Sequence, residues 1–130
     1  MGRRGMTLAE MMIVVIIIGI LARLVIPRYL MAVEKGRSAE ARYALGVIRD
    51  AETSYYVDQE AYGTMAQLNL NYPSSCTASY YFTYSLSING ASYVATATRC
   101  TSGGKPPKSY TAYVINMTQT GALDGSTGFV

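Results

Sequence analysis

Between Met11 and Ala22 twelve residues pass without a charge, and with Arg23 as the one interruption the apolar stretch continues to Ile26. A run of this kind must leave water, for lipid or for other protein. As a helix its sixteen positions cover roughly 24 Å at about 1.5 Å per residue, short of a hydrocarbon core of about 30 Å. A full span therefore needs Thr7 to Glu10 inside the membrane as well. Arg3 and Arg4 ahead of the run hold the N-terminus on the cytoplasmic side and send the rest of the chain across. An ordinary secretory signal shares the basic start and apolar core but ends in small residues at its cleavage site. Here Ile20 to Val25 reads Ile-Leu-Ala-Arg-Leu-Val, a poor match.

Glu10 stands at the cytoplasmic edge of this run. A carboxylate at the centre of a membrane helix costs about 2.5–3.5 kcal/mol on insertion scales, and less near the interface. Either Glu10 sits among lipid headgroups or it answers a cation. Arg23 lies more than three turns away, beyond helical reach, so such a cation belongs to another molecule.

Arg4-Gly5-Met6-Thr7-Leu8-Ala9-Glu10, followed by the apolar run, resembles the cleavage motif of type IV prepilins and of the related pseudopilins of type II secretion. The resemblance implies that a membrane prepilin peptidase cuts after Gly5 and methylates the new amine of Met6. It also implies that Glu10, five residues into the mature chain, pairs with that amine on a neighbouring subunit. Thr7 and Leu8 complete the motif. Met6 departs from the family, which more often has Phe there, but it is apolar and flexible enough to fill similar space. Arg23 is a second departure: it either snorkels to the outer interface or pairs with Glu10 of a different subunit. Gly19 and Pro27 weaken helical hydrogen bonding, and their placement resembles that of pilins whose helix unwinds between such residues on assembly.

The formal charge is +3, with eleven Lys and Arg against eight Asp and Glu; taking Arg3 and Arg4 away with the leader leaves nine. Arg28, Lys35, Arg37, Arg42 and Arg49 alternate with Glu34, Glu40, Asp50 and Glu52, which describes a solvated helix face. A nucleic-acid site would need a basic patch, and none is evident. With no His and two Cys, a His-based triad, a zinc tetrad and a His-assisted thiol are excluded. Glu52, Asp58 and Glu60 read as exposed acids with no catalytic role, so neither an enzyme, a metal nor a cofactor is expected.

Beyond Pro27 the chain reads as helix to about Asp58, with Ala44, Val47, Ile48, Ala51 and Tyr55 on one face and Arg42, Arg49 and Thr53 opposite. Gln59 to Ser79 reads as a loop with one helical turn near Met65 to Leu68. Tyr80, Phe82, Tyr84, Leu86 and Ile88 alternate with polar residues up to Asn89-Gly90, a two-residue hairpin turn. That turn sets Leu86 opposite Tyr93, Tyr84 opposite Ala95 and Phe82 opposite Ala97. After a Gly- and Pro-rich loop, Tyr110 to Gln119 makes another strand, and Ala122-Leu123 can begin a fourth. Cys76 and Cys100 fall near the same open end of the hairpin. A disulfide there, permitted by export, closes a loop of about 25 residues, worth roughly 3 kcal/mol in the chain-entropy model; two separate thiols are the alternative.

The expected fold is α+β, a long N-terminal α-helix packed on a small antiparallel sheet of three or four strands. It divides into a leader (1–5), an apolar membrane and filament-core helix (6–28), an amphipathic helix half (29–58) and a globular loop and sheet region (59–130). The function that the resemblance implies is a structural subunit, polymerising into a helical filament of its own copies for adhesion, twitching motility or DNA uptake. Its implied route runs from the inner membrane, as precursor, through the pilus assembly machinery to the cell surface. A secretion pseudopilin and a membrane-tethered binding module that never polymerises are the other readings.

Overall fold

The structure, a computed structural model, describes residues 5–107 and 111–126. Arg3 and Arg4, and Tyr110 at the start of the expected third strand, lie outside the described residues. The chain comprises two compact units, Met1–Glu34 and Lys35–Val130. Helix α1 runs from Leu8 to Gln59, and four strands follow: β1 (Phe82–Asn89), β2 (Ser92–Arg99), β3 (Val114–Thr118) and β4 (Leu123–Gly125). The strands form one antiparallel sheet in sequence order. The expected α+β arrangement of a long helix on a small antiparallel sheet is the one found.

Within the second unit, α1 buries Ser38, Ala41, Ala44, Leu45, Ile48 and Glu52. Apart from Ala44, these positions recur at alternating steps of three and four, the signature of a stripe facing a core. The stripe is turned from the one expected: Val47, Ala51 and Tyr55 lie at its half-buried rim, while Leu45 and Glu52 take the centre. Arg49 is likewise not opposite the core but half-buried, its Nε donating to the Gln119 carbonyl at 3.4 Å. Ala41 and Ala44 of α1 share a fully buried cluster with Ala95 and Ala97 of β2, so helix and sheet can approach closely. Large side chains fill the flanks of that alanine row: Tyr84 and Leu86 on β1 pair across it, as do Ile115 and Met117 on β3.

The hairpin register differs from expectation by two residues. Asn89 pairs with Ser92, so Leu86 faces Ala95, Tyr84 faces Ala97 and Phe82 faces Arg99. The turn is centred on Gly90-Ala91, with Gly90 at φ +58 and Ala91 outside the left-handed region. Glycine at the first central position suits a primed turn in which the second residue needs no such freedom. A shift of two preserves which face each side chain occupies, so Phe82 and Tyr84 are buried as expected although their partners differ, while Ile88 beside the turn is exposed.

Among the described residues, two charged side chains, Arg99 and Glu52, lie in the interior. Arg99 is 1% exposed. Its guanidinium donates to the carbonyls of Tyr81 (3.0 Å), Cys100 (3.1 Å) and Pro107 (3.1 Å), and it lies over the rings of Tyr81 and Phe82. One cation thereby fastens the loop after β2 to the strand before it. Glu52, expected at the surface, is fully buried and accepts from the Gly63 N–H at 2.9 Å. Its Oε1 and the Tyr93 hydroxyl are both buried with no hydrogen-bond partner among the described residues. Burial raises the Glu52 carboxyl above the ordinary range, with the Gly63 bond opposing. Burial, and then the Glu52 charge, push the Tyr93 phenol up to about 12. Asp58 and Glu60 are exposed, as expected.

The 60–81 connection has its own supports. The expected helical turn spans Met65–Asn69 and is opened by Thr64, which exchanges bonds with Gln67 in the manner of a helix N-cap. Glu40 accepts from the Tyr81 N–H at 2.9 Å, and the Tyr84 N–H donates to the Pro73 carbonyl at 2.8 Å. The latter contact lays the loop along β1, which would otherwise present an open edge. Tyrosines fill the remaining gaps as two clusters of rings, Tyr56–Tyr62–Tyr93 and Tyr72–Tyr80–Tyr84, of which Tyr56 and Tyr62 are stacked and the other pairs meet edge-on or tilted. Cys76 and Cys100 form a disulfide, with Cα atoms 5.8 Å apart. Gly104 lies so close that any side chain there would strike the Cys100 Cβ.

Two outcomes follow from this interior. The Cys76→Ser/Cys100→Ser variant should lose about 3 kcal/mol of stability, the loop-closure value, measured by denaturant unfolding in detergent; an unchanged midpoint would deny the bridge that role. The native state holds the Glu52 proton after the unfolded chain has released it. Stability should therefore fall as pH rises from the ordinary carboxylate range through the raised value and then level off. Glu52→Gln, which keeps an acceptor for Gly63, should flatten that decline in unfolding series between about pH 4 and pH 8, and a parallel decline in the variant would show that another group causes it.

Candidate functional site

The first unit consists of the start of α1 and the residues leading into it. Gly5, Met6 and Thr7 are exposed and non-helical, and a side chain at Gly5 would meet nothing within 4 Å. The expected cleavage junction thus lies in open, irregular backbone. At Thr7 the chain turns into helix, with the Met11 N–H reaching the Thr7 carbonyl at 3.3 Å.

Thr7 and Glu10 close this helix end reciprocally. The Glu10 N–H donates to Thr7 Oγ1 at 3.3 Å, and Glu10 Oε2 accepts from the Thr7 N–H at 2.7 Å and the Thr7 hydroxyl at 2.8 Å. This is a capping box, in which residues three apart satisfy donors that the helix start would leave orphaned. The negative charge also lies at the positive end of the helix dipole. Glu10 therefore does have a partner inside its own chain, which the sequence reading did not supply. The signal was present, since Ser or Thr followed three residues later by Glu marks a helix start. A cut after Gly5 leaves the Thr7 amide in place, so the cap survives it. Both bonds fall on Oε2, and Oε1 takes none among the described residues.

Every large apolar side chain from Met6 to Met31 is between 47% and 78% exposed. Those values leave the segment with no core of its own. Among the described residues α1 is the helix long and apolar enough to cross a membrane, by length and composition. It passes through Gly19 and Pro27 without interruption. A side chain at Gly19 would meet only open space, so nothing within this chain requires glycine there. Arg23 is exposed on the same helix.

The second unit carries a cleft of about 290 Å³ between the Tyr56–Tyr62–Tyr93 cluster, Arg49 and Gln119. It brings together none of the residues of the expected cleavage and assembly motif. Among the described residues no group of three or more His, Cys, Asp or Glu side chains is placed to hold a metal ion.

Residues 1–22 match the family described as the prokaryotic N-terminal methylation motif. Type IV major pilin protein PilA of Myxococcus xanthus is 38% identical over 63 residues, covering 48% of this chain and 29% of the relative. Fimbrial protein EcpC of Eikenella corrodens is 36% identical over 84 residues, covering 59% of this chain and 55% of the relative. The chain thus spans less than a third of the first relative and about half of the second. No solved structure matches. The methylation motif and these two fimbrial relatives bear out the resemblance of this chain to type IV pilins.

Proposed function

We propose that the chain is a structural subunit, of the major type, of a type IV pilus. It enters the inner membrane as a precursor with its N-terminus cytoplasmic. A prepilin peptidase cuts between Gly5 and Met6 and methylates the Met6 amine, and the assembly machinery then moves the subunit into a filament on the cell surface. Adhesion, twitching motility and DNA uptake are the uses such a filament would serve.

The observation that carries this reading is a capped carboxylate, Glu10, at the head of a helix whose large apolar side chains up to Met31 are all exposed, inside a methylation motif. Lipid tails are as apolar as leucine, so hydrophobicity alone does not move such a helix from a membrane into a bundle of its copies. A charge that lacks a counter-charge supplies both drive and direction. The amine released by the cut is cationic, and buried beside other apolar helices it would cost several kcal/mol unpaired. Glu10 of a neighbour neutralises it and sets the axial register between copies. Opening of α1 between Gly19 and Pro27 then adjusts the helix to that register.

The capping geometry sharpens the test. Glu10→Gln retains the acceptor of a capping box but removes the charge, whereas Glu10→Ala removes both. Both variants should insert in the membrane and be processed, and both should give far fewer sheared filaments by electron microscopy. Filament yield from Glu10→Gln equal to the unmodified chain would sink the charge-pairing role. Gly5→Leu should block processing, so that mass spectrometry finds the leader retained.

A further inference from the structure

We propose that Arg23 is a second assembly residue, whose guanidinium is met in the filament by the Glu10 carboxylate of another copy of this chain. The proposal rests on the reading above that the N-terminal helix packs against its own copies.

Between Leu8 and Pro27 the charged residues are Glu10 and Arg23, one of each sign. Both lie on the uninterrupted helix α1 and both are exposed. Thirteen residues separate them, which is about 20 Å along the axis and roughly 140° around it. They cannot reach each other within one helix, and they face different neighbours. An acid on one side and a base on the other, offset along the axis, describe a head-to-tail contact. Each copy gives its base to one neighbour and its acid to another, so the contact repeats without closing and yields an open array.

A membrane allows arginine to reach the headgroups. The interior of a helix bundle has no headgroups, and a guanidinium buried there alone is costly. Glu10 has capacity for it. A carboxylate offers about four acceptor sites, and Oε1 takes no hydrogen bond among the described residues of the single chain. One carboxylate can therefore serve the Met6 amine of one copy and the guanidinium of another. Opening of the helix past Gly19, at about 3.3 Å per extended residue, would lengthen the offset to about 27 Å. That changes the stagger between copies and leaves the pairing in place.

The test uses the full chain, made in cells that process it and assemble filaments from it. Arg23→Leu and Arg23→Lys are compared with the unmodified chain for mature N-terminus by mass, membrane content and sheared filament yield. Arg23→Leu should be processed and inserted normally but give filaments reduced about tenfold or more, the scale expected when a desolvated charge loses its partner. Arg23→Lys should retain more than Arg23→Leu. In a second arm, Ala9→Cys and Leu24→Cys copies, which keep both charges, are expressed together. These positions adjoin the pair, so a bismaleimide with a spacer of about 10 Å, the distance between packed helices and beyond the reach of a direct disulfide, should link the two kinds of copy in sheared filaments. Arg23→Leu filaments at normal yield would overturn the proposal in favour of snorkelling. A reduced yield without the cross-link would also overturn it, since Arg23 would then act away from Glu10. An unmodified chain that is processed but never forms filaments would defeat the underlying reading instead.

Discussion

Glu10 is bound by two demands that a single copy of the chain can meet only in part. At the start of an apolar helix its carboxylate satisfies the Thr7 amide and hydroxyl, which lets α1 begin cleanly at Leu8. That capping handles hydrogen bonds but not charge: no cation lies within helical reach, and the helix dipole offers about half a charge at most. Everything proposed for the N-terminal segment grows from this imbalance. Without Glu10 the exposed apolar surface would be adhesive but indifferent to register. With it, neighbours in the proposed filament would be ranked by whether they bring a positive group to the right depth.

The second unit solves a more familiar problem, that of making a small domain stable. Its helix face and central strand are lined by alanines, which brings the backbones together but contributes little apolar area per residue. Tyrosines, a disulfide and the Arg99 guanidinium supply what the aliphatic core does not. Arg99 satisfies three carbonyls from separate stretches of chain and so replaces secondary structure where the loop after β2 has none. Glu52 is the opposite case, since it caps the Gly63 amide at the cost of a buried oxygen facing no donor.

The architecture was largely legible in the sequence because it rests on signals of long range. The apolar run, the alternation from Tyr80 to Ile88 and the Asn-Gly turn locate the helix, the hairpin and the sheet. The disulfide was anticipated from its two cysteines falling at one end of that hairpin. Details decided by single side chains were less accessible. Asn89-Gly90 has the composition of one turn, but Gly90-Ala91 forms another, because glycine can occupy either central position and packing across the alanine row selects between them. Glu52 reads as a surface acid and Arg99 carries no signal in the sequence, since nothing local marks either as buried; their partners, Gly63 and the carbonyls of Tyr81 and Pro107, are brought near by tertiary folding. Glu10 is the reverse case: its capping partner Thr7 is local and readable from the Thr-x-x-Glu spacing, whereas the apolar run after it points to partners on other molecules.

The cross-link between Cys76 and Cys100 also has a bearing on timing. Under the proposed topology, with the N-terminus inside and the rest of the chain outside, both thiols reach an oxidising compartment only after translocation. Until then the stretch from Cys76 to Cys100, which holds the entire β1–β2 hairpin, lacks its covalent closure. A subunit still on the cytoplasmic side therefore has a looser sheet than one that has crossed. On that reading, maturation of the second unit is tied to arrival at the place where filaments would be built, and chains that go astray remain easier prey for proteases.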